Sequence, residues 1–154
     1  MSHVARVRSD VRGRGIRGIF LPELPRYKTR SQKFDGAVLE VYERILERFD
    51  HELSALDVAV DTVPRMRLDP QYSQWPDDVV ADGPVPLGRL ISAGVDEHGQ
   101  PTRPQLIVFR RPVEMRADSA EALRDWLRLI IVRLVAVYLN VTPEQIDPRV
   151  PGEL

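Results

Sequence analysis

The stretch "IIVRLVAVYLNVTPEQID", Ile130 to Asp147, decides the fold. Its first half continues the apolar run that begins at Leu127, and the only charged residue between Ile130 and Leu139 is Arg133. A run this apolar on almost every side predicts a helix buried in a core. Asn140 is a suitable terminator, because asparagine tolerates the left-handed conformation in which helices commonly end. Thr142, Pro143 and Gln145 then form a restart signal, with a capping hydroxyl, a proline at the first helical position and a glutamine reaching back. The run from Leu127 to Leu139 is too short to span a bilayer and contains Arg128 and Arg133. No membrane partner is therefore expected.

A second helix is predicted upstream, from about Ser31 to His51. Phe34, Val38, Val41, Tyr42, Ile45 and Phe49 recur at steps of three and four and make one apolar face. Glu40 and Arg44 stand four apart on the wet side, in the order that supports a helix. The C-terminal long helix is predicted to start at Asp118, with Glu121 completing an approximate capping box.

Strands fill the space between the helices. Leu56, Val58 and Val60 alternate with Asp57, Ala59 and Asp61, the period of a half-buried strand closed by Pro64. "PLGRLISAGV" and "PQLIVFRRPVE" read as two more strands, joined by the polar turn "DEHGQPTR" around Gly99, with Pro112 closing the second. The stretch between Arg65 and Pro86, "RMRLDPQYSQWPDDVVADGPVP", reads as one long Pro- and Asp-rich loop pinned by Tyr72 and Trp75. Helix, strands, helix and short helix in that order specify an α+β fold. The expected domain spans 29–150: a mixed sheet of three or slightly more strands, two long helices and a short C-terminal helix.

Residues 1–28 read as a basic, partly disordered arm in which Gly13, Gly15, Gly18, Pro22 and Pro25 oppose regular structure. The chain of 154 residues carries a net charge of -1, yet Arg6, Arg8, Arg12, Arg14 and Arg17 are opposed before Gly18 only by Asp10. These five arginines are a candidate anion-binding arm for nucleic acid or an acidic partner. No aromatic residue for base stacking stands among them. There is no cysteine, which excludes disulfides, thiolate nucleophiles and Cys-based zinc sites and fits a cytoplasmic location.

Other chemistry is sparse. His3, His51 and His98 show no metal-ligand spacing, and no G-x-S-x-G occurs. Asp57 with Asp61 and Asp77 with Asp78 are paired carboxylates, which would need burial to act as acid and base.

Taken together, "RSQKFDGAVLEVYERIL" (Arg30–Leu46), "LDVAVDTVP" (Leu56–Pro64), "PLGRL" (Pro86–Leu90) and "QLIVFRRPVE" (Gln105–Glu114) resemble, in order and spacing, the small bacterial zincin-like metallopeptidases, the minimal zincins. The resemblance covers about Arg17 to Pro148. The arm leading to "LPELP" is similar to an actinobacterial branch of that family. The resemblance implies a zincin-like domain with a zinc-binding H-E-x-x-H on the second long helix, followed by a glycine and an aspartate. Laid over "RLVAVYLN", the first histidine position holds Arg133, the glutamate position Leu134 and the second histidine position Val137. Asn140 stands at the glycine, and the aspartate falls at about Pro143. A guanidinium has no lone pair to give a metal, and Leu134 and Val137 can neither bind zinc nor move a proton. The expectation is a domain of a peptidase family without its zinc cofactor or catalytic residues, binding an unknown protein or peptide partner. Its remnant cleft would be lined by Arg133, Leu134, Val137 and Tyr138. The alternatives are an active metal-dependent peptidase with atypical ligands drawn from Asp57, Asp61, Glu114 or His98, and partner binding through the arm.

Overall fold

A computed structural model describes residues 29–66 and 74–150, together with the backbone of Val4–Arg6. The chain folds as α+β. In chain order the elements are β1 (Val4–Arg6), α1 (Arg30–Phe49), β2 (Asp57–Asp61), β3 (Val79–Asp82), β4 (Val85–Ile91), β5 (Gly94–Val95), β6 (Pro101–Thr102), β7 (Gln105–Phe109), α2 (Arg110–Glu114), α3 (Ala120–Leu139) and α4 (Pro143–Ile146).

The main sheet has the order β1-β2-β7-β4-β3. It is mixed: β2 and β7 run parallel, with Val58 opposite Leu106 and Val60 opposite Val108, while the other neighbours are antiparallel. Joining parallel neighbours requires a long crossover. The segment between β2 and β7 supplies it and carries both the β3–β4 hairpin and the small exposed β5–β6 hairpin. Gly99, at φ 78°, makes the turn of the latter.

The long helices α1 and α3 pack together on one face of the sheet. Phe34, Val38, Val41, Tyr42 and Ile45 of α1 meet Leu127, Ile131, Leu134 and Val135 of α3 in one core with Val58, Val60, Leu106 and Val108. Burying each such side chain contributes about 1.5–3 kcal/mol before chain entropy is subtracted. The opposite face of the sheet carries a smaller cluster, Ala59, Ile107 and Phe109, with Met66 and Ile91 against it.

Helix ends follow side-chain chemistry. At the start of α1, Thr29 accepts from the Gln32 backbone N–H, and the Gln32 side chain accepts from Thr29 N–H, a complete capping box. At α3 the cap is Ser119, not Asp118: its Oγ accepts from Ala122 N–H at 3.0 Å, and Glu121 lies in the first turn. Serine one residue later reaches the free N–H groups, which displaces the aspartate from that duty. Asn140 ends α3 in the left-handed conformation at φ 57° and ψ 46°, and Thr142 with Gln145 caps α4 as expected.

Four further expectations are corrected. The strand expected to run to Pro112 stops at Phe109, and Arg110–Glu114 turns into α2. Proline within a first turn costs little, because its missing N–H has no helical partner there. The presumed loop from Arg65 to Pro86 contains β3, hydrogen-bonded in register to β4 through Val79–Arg89 and Val80–Gly88. Strand β2 is not half-buried: Val58, Ala59, Val60 and Asp61 are all buried, so both of its faces are covered. Within the arm, Val4–Arg6 forms the edge strand β1, with Arg6 opposite Ala59.

Candidate functional site: a groove between helix α3 and edge strand β3

Helix α3 is not apolar-and-buried all round. Leu127, Ile130, Ile131, Leu134 and Val135 are fully buried, whereas Val137 is 40% exposed and Arg133 is half-buried. The reason is the helical repeat. Residues four apart share a face, so Arg133 and Val137 lie one above the other, while Leu134 and Tyr138 turn aside.

The face shared by Arg133 and Val137 forms one wall of a groove of about 640 Å³. That volume falls within the range of about 300–1,000 Å³ typical of ligand sites. The opposite wall comes from β3, through Val79, Val80 and Ala81, and from Trp75 before it. Val141 and Pro143 close the end near the α3–α4 corner. The Trp75 indole N–H donates to the Gly83 carbonyl at 3.0 Å, tying the segment before β3 to the hairpin tip. Strand β3 sits at the end of the sheet and pairs, among the described residues, with β4 alone. Among the described residues its outer edge pairs with no strand, the Val79 N–H donating to the Pro76 carbonyl at 3.0 Å, and such an edge is one to which a further strand can add.

Of the expected cleft residues, the structure brings Arg133 and Val137 together in the groove. Leu134 is buried under the sheet against Gly88, and Tyr138 is half-buried against the main core, so neither lines the groove. Among the described residues the groove's charged groups are Arg133 and Asp77. Val79 and Ala81 escaped the sequence reading because their segment passed for a loop, and Trp75 was read only as a pin for that loop; the doublet Val79-Val80 between Asp78 and Asp82 was the available signal.

The atypical-ligand residues are scattered. Asp57 pairs with Arg103 at 3.2 Å at the start of β2, and Asp61 stands at its far end, about 13 Å along the strand. Asp61 accepts from the Thr62 N–H at 2.8 Å. Glu114 pairs with Arg110 within α2 at 3.1 Å, and His98 lies in the exposed β5–β6 turn beside Glu97. Among the described residues no three histidine, aspartate or glutamate side chains come together as metal ligands. Arg133, Leu134 and Val137 do not fit a zinc ion: a guanidinium, an isobutyl group and an isopropyl group offer it no lone pair. Of the arginine arm, Arg6 is in β1, and Arg8, Arg12, Arg14 and Arg17 lie outside the described residues. No helix among the described residues is long and apolar enough to cross a membrane.

No protein-family model matches the chain, and no curated protein matches it.

Proposed function

We propose that this chain is a non-catalytic zincin-like domain that binds an extended peptide segment of a partner protein in the groove between α3 and β3. One observation carries the reading. Arg133 and Val137, at the two positions where the resemblance expects histidines, lie on the same face of α3 and line a groove beside an edge strand. An extended segment adds to such an edge through main-chain hydrogen bonds, and side-chain pockets supply its specificity. Trp75, Val137 and Val141 give the groove apolar area, and Arg133 gives it a cation suited to an acidic side chain or terminal carboxylate. Leu134, at the position that the resemblance gives to a catalytic glutamate, is apolar and buried, so it cannot activate water for a segment bound in the groove.

Metal analysis tests the loss of the zinc site. Protein incubated with excess zinc and desalted is expected to retain far less than one zinc per chain, with no change in Arg133→Ala. One tightly held zinc per chain, mapped to α3, would overturn the reading.

A further inference from the structure

Away from the groove, α1, α3 and the segment after α4 meet around a narrow cavity of about 50 Å³. Its floor is apolar, made by Val41, Ile45 and Val132, all buried in the main core. Its walls hold four guanidinium groups, Arg44, Arg124, Arg128 and Arg149, against two carboxylates, Glu40 and Asp147. Asp125, outside the wall, also takes Arg128 at 2.9 Å, and the cations still outnumber the acids.

The carboxylates do not saturate these donors. One Glu40 oxygen is shared between Arg44 at 3.8 Å and Arg124 at 3.5 Å. Arg149 donates to both Asp147 oxygens, at 3.0 and 2.9 Å, and the second of these oxygens also faces Arg128 at 3.8 Å. The three longer contacts exceed the usual N–H···O range of about 2.7–3.2 Å, so they are ion pairs without hydrogen bonds. Among the described residues Arg44 and Arg124 therefore keep all their N–H donors unspent. Each guanidinium presents five such donors in a planar fork suited to phosphate oxygens. The four guanidinium groups face three carboxylates, and an anion placed among them offsets the repulsion that remains.

We propose that this seam is an anion site for one phosphate group, either the free ion or the terminal phosphate of a small phosphomonoester. The arginines stand on three separate elements around the cavity, which suits a tetrahedral oxyanion whose oxygens diverge. The narrow cavity has room for one such group rather than for a whole nucleotide. Arg149 is positioned by Asp147 and Arg128 by Asp125, and Arg44 and Arg124 close over the anion from the two helices. The site is independent of the peptide groove.

The test titrates inorganic phosphate, and separately glycerol phosphate, into the full chain at constant ionic strength. Arginine Nε–H NMR signals and the melting temperature are followed. Saturable shifts at Arg124 and Arg128, with a rise in melting temperature that chloride does not give, are expected. Saturation by both probes identifies the free ion as sufficient, and saturation by glycerol phosphate alone identifies an ester. The Arg44→Gln/Arg124→Gln variant is expected to bind about tenfold more weakly or worse, since each charge-assisted bond lost is worth roughly that factor. Arg103→Gln, on the β2–β7 side, is expected to leave binding unchanged. If the double variant fails to fold, Arg44→Gln alone, whose side chain is 69% exposed, gives the same comparison. No saturation by either probe, or equal affinity in the wild type and the arginine variants, would overturn the proposal.

Discussion

Replacing Gly88 by alanine tests how closely α3 lies on the sheet. A Cβ at Gly88 would stand 2.7 Å from Ile130 Cγ2, 3.1 Å from the Ile107 carbonyl oxygen and 3.2 Å from Leu134 Cδ1. Carbon atoms in good contact stand about 3.5–4.0 Å apart, so the methyl group lacks roughly 0.8 Å toward Ile130. The Ile107 oxygen cannot retreat, because β7 is held between β2 and β4. Ile130 is β-branched and has one favoured rotamer in a helix. The helix must therefore lift or Ile130 must strain, at a cost of about 1–3 kcal/mol. Alanine also narrows the unfolded ensemble, which offsets about 0.4–1 kcal/mol. The expected net loss is about 1–2 kcal/mol, a fall in melting temperature of roughly 2–8 °C for a chain of this size. Urea unfolding followed by tryptophan fluorescence and circular dichroism measures it. Ile130→Ala alone should cost about 2–5 kcal/mol through the cavity it leaves. In the double variant the new methyl group enters that cavity, so the combined loss should fall short of the sum by about 1 kcal/mol. A Gly88→Ala protein as stable as the wild type, with no coupling to Ile130, would refute the close approach of α3 to β4.

Three other outcomes follow from particular residues. Arg133→His/Val137→His places two imidazoles four apart on the groove face of α3, and added zinc or nickel should raise its melting temperature while leaving the wild type unchanged; no metal-dependent rise would place the two residues on different faces. Asn140→Ala should cost about 1–2 kcal/mol in urea unfolding and Asn140→Gly should cost little, because only the left-handed φ of 57° separates them; equal effects would contradict that end geometry. The hydrogen-bonded Arg149 guanidinium holds the Asp147 carboxyl below its ordinary range, against the opposing effect of burial. A folded value depressed below the unfolded one stabilises above about pH 4 and is lost as pH falls through the folded value. The stability gap between the wild type and Arg149→Gln should therefore be present at pH 7 and shrink below pH 4 in urea titrations; a gap independent of pH would refute the linkage.

Much of the scaffold was legible because its signals are local. The three- and four-residue steps of Phe34, Val38, Val41 and Ile45 marked α1, and Asn140 with the Thr142–Gln145 box marked the corner after α3. The misreadings share a physical cause, namely that covering by distant chain is invisible locally. Asp57, Ala59 and Asp61 alternate with apolar neighbours as if facing water, yet the second face of the sheet is covered at Ala59, Ile107 and Phe109. Strand β3 is only four residues long and follows Asp77 and Asp78, so it does not declare itself, and it exists because β4 offers it a partner. The groove was half legible for the same reason. Its helix wall follows from the spacing of Arg133 and Val137, and its strand wall does not. The arginine seam needed the packing of α1 on α3, although the Arg124–Arg128 step already marked one side of it.

Calorimetric titration of one groove-binding peptide tests the central claim most directly. The probe is the tightest peptide selected from a random displayed library on the wild-type chain. Its affinity is expected to be the same with and without EDTA, and to weaken about tenfold or more in Val137→Trp, whose side chain fills the groove from an exposed position. Failure to select any peptide, loss of binding in EDTA, or unchanged affinity in Val137→Trp would contradict the account.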